Sequence, residues 1–403
     1  MTDETGSSGN VLDRWTPWLA GASAVAILFS IAVAQILLGL TIVALIAARA
    51  RWRFPAIAIP VGLLFLWTLI VAATSPEPGA SFALIKKFFV YGEFAVVATA
   101  IRTREQGRTL LAAIAGAGVL SALWSFVQFA RKVGEADAAS QDFYLYYTPN
   151  RTTGFMSHWM TFSGEMLVVL VIGCAFALWA RKWWTGGAVT LVAGLALVLN
   201  QTRSVWIATA GALIYLVIAW KPKWVLALPV LALAVYALAP ETIQERARSI
   251  LQPHGTTDSN QHRVITLRTG IVIVKRHPFL GLRGDRVGEK FLEYLPADIP
   301  RPLPPGYYRH LHNVYLQMAA ERGLPALALL IWIFVALLRD WRQLPLDPVL
   351  RHAAVATLIG TAIGAFFEHN LGNSEILHLF LAVSACAYAN ASSRRSDSSS
   401  LTA

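Results

Sequence analysis

Charge is scarce in this chain of 403 residues: Asp, Glu, Lys and Arg together make up 14% of it, while 56% is hydrophobic. Soluble globular proteins carry roughly a quarter charged residues, so an ordinary water-surrounded domain is excluded. Cysteine is scarcer still, with Cys174 and Cys386 both inside apolar runs. A disulfide framework or a cysteine-rich metal site cannot be built from them, and both read as small core residues. The first apolar run is too long for a signal-peptide core. "GLRGDRVG" lacks the strand-turn-helix context of a dinucleotide fingerprint. Acidic pairs are nearly absent from the segments that read as outer loops. The one pair there, Glu135 and Asp137, reads as a solvated loop more readily than as metal ligands. His310 and His312 have no cysteine or carboxylate cluster beside them to complete a zinc site.

Long apolar runs are what the chain has in abundance. Runs long enough to cross about 30 Å of hydrocarbon recur throughout. The fold class is therefore an all-α polytopic membrane protein with about twelve spans. Residues 17–48 make two short helices folded back near Ser30. Further spans are 55–73, 82–101, 110–130, 160–180, 187–200, 204–220, 224–239, 324–338, 350–367 and 374–390. Alternate short connections carry Arg49, Arg51 and Arg53, then Arg102, Arg104 and Arg108, then Arg181 and Lys182, then Lys221 and Lys223, then Arg339 and Arg342. Intervening short connections such as "TSPEPGAS" and "FFEHNLGNSE" carry no Lys or Arg, which puts both termini on the cytoplasmic side. The organisation is then a cytoplasmic disordered tail at 1–14, nine spans over 15–239 and a large outer loop at 240–323. Three more spans follow over 324–390, and a second disordered tail, with Arg394 and Arg395, at 391–403. An outer segment at 131–159 interrupts the first nine.

Much of the net charge of +11 belongs to this orientation signal and does not argue for nucleic acid. The cations that break the rule are informative. Arg203, in "LNQTRSVW", stands alone in a short outer turn. Lys86 and Lys87 lie near an outer span end, and Arg263, Arg268 and others occupy the large loop. An arginine in that position needs an anion, and guanidinium suits phosphate oxygens bidentately. At 1.5 Å per residue, His312 lies about 10 Å beyond the hydrocarbon, at the level of lipid phosphates. Its place at a helix start, among arginines, favours a neutral imidazole able to take a proton. Taken alone, His312 also reads as an interfacial histidine beside a capping Asn313.

Three segments carry a family resemblance. "HLHNVYLQMAAERGLPALALL" resembles the His-(Asn/Ser)-x-x-Leu signature of the O-antigen ligase and polymerase superfamily. "RVITLRTGIVIVKRHPFLGLRGDRVGEKF" is similar to that family's Arg…His-Pro-Leu-x-Gly segment, with Gly-Leu-Arg where Gly-Val-Gly is usual. "LNQTRSVW" resembles its Thr-x-Ser-Arg segment, written here as Gln-Thr-Arg-Ser. The resemblance implies a GT-C-like glycosyltransferase in the bacterial inner membrane with its active site facing the periplasm. His312 would be the catalytic base, and Arg203 and Arg263 would bind the pyrophosphate of an undecaprenyl-linked O-antigen. The acceptor would be a sugar hydroxyl of lipid A–core, with no metal or cofactor. Arg268, His310, Lys87 and Glu321 are further candidates; Glu321, nine residues past His312, points away and reads as orienting structure. An O-antigen polymerase or a protein O-oligosaccharyltransferase would share the donor. A lipid-linked glycan flippase is the rival of another class. Its binding groups would lie at mid-membrane on repeated broken helices, and no convincing repeat is present.

Overall fold

The computed structural model describes residues 11–252 and 260–389. Arg394, Arg395 and most of both expected tails lie outside the described residues. All described elements are helical. In chain order they begin with α1 (Val11–Ala26), α2 (Ile31–Ala47), α3 (Ala58–Ala73), α4 (Pro78–Lys86), α5 (Phe88–Ala100) and α6 (Arg104–Ala138). A short α7 (Phe143–Tyr147) precedes α8 (Trp159–Trp179), α9 (Trp183–Asn200), α10 (Arg203–Trp220) and α11 (Ala227–Leu238). The large loop holds α12 (Glu241–Arg248), α13 (Asn260–Arg276) and α14 (Val287–Lys290). The chain ends on α15 (Val314–Gln343), α16 (Pro348–Gly364) and α17 (Ser374–Cys386).

Five of these helices are long and apolar enough to cross a membrane: α6, α8, α9, α10 and α15. Shorter apolar helices, α2, α3, α11, α16 and α17 among them, stand beside them. Trp184, Leu191, Ile36, Val43 and Leu238 project outward from the bundle. So continuous an apolar exterior suits lipid, and the chain is a multi-pass membrane protein. The first apolar run turns back at Ser30, whose hydroxyl caps α2, and α1 packs on α2 as two short helices should. α1 itself starts at Val11, inside the segment read as a tail. Helix α6 also runs past the expected span end to Ala138. The polar stretch "RKVGEADA" is rich in good helix formers and continues the helix into the polar end of the bundle. Glu135 therefore sits on a helix, held by Lys132 at 3.0 Å and the Tyr146 hydroxyl at 2.6 Å.

Close backbone approach sets the central packing. A Cβ on Gly186 of α9 would stand 2.7 Å from the Gly173 carbonyl oxygen of α8, so only glycine lets these two helices touch. α16 packs on α8 and α10, and α17 on α5, with α17 buried from Ile376 through Cys386. Both cysteines are free thiols. The large loop is a folded unit with its own small core, in which Ile265, Ile273, Leu282, Phe291 and Leu311 meet.

That unit is clamped onto the bundle where α15 breaks. Gly323 adopts φ 82° and ψ 172°, splitting α15 just before Pro325. The broken turn leaves backbone groups without helical partners, and other elements supply them. Leu324 N–H donates to the Pro278 carbonyl at 2.7 Å, and the Trp67 indole donates to the Arg322 carbonyl at 2.7 Å. A side chain at position 323 would collide with the Phe279 carbonyl. Gly323→Ala is therefore expected to cost about 3 kcal/mol or more, from a backbone region nearly closed to other residues plus the clash. Thermal melting in detergent would measure this; an unchanged Tm would mean the break tolerates a Cβ.

Candidate active site

Residues of α7, α8, α10, α13, α16 and α17, with the turn that precedes α15, surround a cavity of about 910 Å³. Its polar lining includes Arg151, His158, His262, His310, His312 and Glu368. Apolar lining comes from Leu167 of α8, Val205 and Ala208 of α10 and Gly360 of α16.

His312 is placed by the start of α15. Asn313 caps that helix, its Oδ1 accepting from Leu316 N–H at 2.9 Å, while its Nδ2 donates to the Phe366 carbonyl at 3.1 Å. Val314 N–H donates to the Ala365 carbonyl at 2.8 Å. The capping role and the site role therefore coexist: Asn313 pins the α15 start to the end of α16. His312 itself has φ +49°, in the left-handed region that costs an L-residue roughly 1 kcal/mol. Strain of this kind persists where surrounding contacts over-determine the geometry.

Those contacts converge on one turn. Nε2 of His312 lies 3.1 Å from the Tyr307 carbonyl oxygen, which also receives His262 Nε2 at 3.0 Å. Nδ1 of His312 faces Glu368 Oε2 at 3.6 Å. Neither of these two buried atoms has a hydrogen-bond partner, and closing the gap by about half an ångström would join them. The other Glu368 oxygen accepts from Arg263 and from the Ser204 hydroxyl at 3.1 Å. Glu368 therefore ties together Ser204 after Arg203, the start of α13 and the histidine that precedes α15. Burial alone would raise its carboxyl; Arg263, His312 and Ser204 outweigh that and hold it at about 2. The expected setting of His312 among arginines is thus corrected, because the charge in contact with its ring is a carboxylate.

The neighbouring rings are kept neutral. His262 is pushed down to about 4 and His310 to about 3, by burial first and then by His312. Their ring centroids stand 4.9 Å and 4.2 Å from that of His312.

The two expected phosphate arginines lie next to the site with protein partners. Arg203 begins α10 after a left-handed Gln201, and its guanidinium donates to Ser249 and, at 2.7 Å, to Asn260 Oδ1. Asn260, the first residue of α13, thus holds this arginine. Arg263 holds Glu368. The other candidates spread out. His310 lines the cavity. Arg268 pairs with Asp298 at 2.7 Å on an exposed face. Lys87 and Glu321 share a small neighbouring recess with Arg322 and His369. There Glu321 is buried and accepts from Gln317 at 2.7 Å, an arrangement that braces α15. Among the described residues, no three His, Cys, Asp or Glu side chains group as metal ligands.

Sequence reasoning missed two wall residues. Glu368 sits in "FFEHNLGNSE", a connection notable only for lacking Lys and Arg. Arg151 sits in the 131–159 segment and is the one arginine among the described residues that lines the cavity. Burial, and then Arg246, Arg203 and Arg263, push its guanidinium down to about 9. The physical ground that singles out Arg203, an outer cation against the charge rule, applies equally to Arg151.

Comparison with protein families is decisive for one part of the chain: residues 188–331 match the family model described as O-Antigen ligase. Over that domain the chain is similar to the O-antigen ligase family. That domain spans Arg203, Arg263 and His312, so the motifs read from sequence fall within it. Its family fits glycan transfer of ligase or polymerase type. Glu368 and Arg151 lie outside the O-antigen ligase domain, one after it and one before. A comparison with curated proteins found no match.

Proposed function

We propose that this protein is an O-antigen ligase, which transfers a glycan from undecaprenyl pyrophosphate to a sugar hydroxyl of lipid A–core without a metal ion. The observation that carries the reading is the carboxylate of Glu368 in the cavity wall, which faces His312 while accepting from Arg263 and Ser204 behind it. In the reaction, the acceptor hydroxyl replaces the Tyr307 carbonyl at His312 Nε2 and gives up its proton there. Its oxygen then attacks the anomeric carbon, and the bond from that carbon to the pyrophosphate oxygen breaks. The configuration inverts, and undecaprenyl pyrophosphate leaves with both electrons of that bond. The imidazolium so formed has an acceptor at each nitrogen, Glu368 on one side and the Tyr307 carbonyl once the product departs. Preorganised charges of this kind stabilise the transition state without reorganising. The apolar lining residues support a polyprenyl chain entering from the membrane. The reading includes about twelve crossings in a GT-C-like arrangement, both termini cytoplasmic, and a site facing the periplasm of the inner membrane.

Purified protein given the undecaprenyl-linked glycan and lipid A–core in excess chelator should form ligated product. Product only when the donor also serves as acceptor would make the protein a polymerase, and activity abolished by the chelator would end the metal-free reading.

A further inference from the structure

Arg203 and Arg263 are engaged with Ser249, Asn260 and Glu368, and neither lines the cavity. Arg151 does. Among the described residues its guanidinium has no ion-pair or hydrogen-bond partner, and its Nε is buried without one. It lies over the Trp159 ring, 5.4 Å from the centroid, a contact that orients a guanidinium without consuming its N–H donors.

The backbone beside it is firmly mounted. Thr153 and Gly154 N–H both donate to Gln128 Oε1 of α6 at 2.9 Å. The Thr152 carbonyl accepts from Asn200 at 2.6 Å, at the end of α9. Arg151 thus projects from a rigid turn, and its charge adds to those of Arg203, Arg246 and Arg263. A fixed, unpartnered guanidinium in a cavity wall is arranged for a planar pair of anionic oxygens, as phosphate presents.

We infer that Arg151, seated on Trp159, is a phosphate-binding residue of the cavity that takes the pyrophosphate group of the lipid-linked donor. The donor's identity rests on the function proposed above; the phosphate site itself does not.

The test uses the full-length protein in detergent, with inorganic pyrophosphate as probe and thermal melting as readout. Pyrophosphate should raise the Tm of the wild type. Arg151→Ala should need about tenfold more pyrophosphate or beyond for the same rise. Arg276→Ala, which removes an exposed loop arginine, should respond like the wild type. With the glycan donor, Arg151→Ala should raise the donor KM by a similar factor and leave the acceptor KM unchanged.

A folded Arg151→Ala with wild-type pyrophosphate dependence and donor KM would overturn the assignment, even where the wild type ligates normally. Absence of glycan transfer in the wild type, together with a pyrophosphate response lost in Arg151→Ala, would remove the proposed function and keep the site. If the alanine variant does not fold, Arg151→Gln keeps the stem over Trp159, and its pyrophosphate dependence and donor KM decide the assignment in the same way.

Discussion

Replacing His312 is expected to lower glycan transfer by on the order of 10³-fold, within the range a positioned general base contributes. Alanine removes the ring but also leaves a non-glycine residue at φ +49°. His312→Asn is the sharper variant, because asparagine tolerates the left-handed region yet cannot take a proton from a hydroxyl. Both variants should keep the wild-type KM for the donor, since neither removes a phosphate-binding group. Initial rates with saturating donor and acceptor would measure the effect. An Asn variant of near-normal kcat would remove His312 from the base role, leaving the ring as part of the scaffold.

Glu368→Gln is expected to lower kcat about 10²-fold and stability by about 3 kcal/mol, the cost typical of breaking a buried ion pair. The substitution keeps the shape but strips the charge that Arg263 and His312 face. The pH dependence separates the two effects. A carboxyl held at about 2 when folded and at about 4.3 when unfolded contributes its full stability above the unfolded value. That contribution drains away as the pH falls from there towards 2. Wild-type Tm should therefore drop across that acid window, whereas Glu368→Gln should start lower and lose less. A Gln variant with the wild-type acid profile and wild-type kcat would show that Glu368 does not work through its charge.

The path from sequence to site is uneven for physical reasons. Spans are legible because hydrocarbon imposes a length and a hydropathy on each crossing. Arg203 stands out because a lone cation in a short turn between two apolar runs breaks the alternation of charge that the other short turns keep. His312 stands out through its local motif, yet the carboxylate that its ring faces, Glu368, lies 56 positions on. No local pattern joins them, since the connection is made by the α15 start docking on the α16 end. Nothing in the spacing of Arg203 and Arg263 indicates that Ser249, Asn260 and Glu368 take up their donors. The extension of α6 to Ala138 is hidden because a helix leaving the membrane changes its composition but not its hydrogen bonding.

The Tyr307 carbonyl, shared by His262 and His312, has a consequence for how such a site is inherited. A main-chain oxygen is present whatever residue the codon specifies, so drift at 307 can proceed without touching it. The Tyr307 side chain is in fact exposed. Selection on that oxygen must instead act through what fixes its position, above all Gly306, where any side chain would run into the His262 ring. The working atom and the position under constraint are therefore one residue apart.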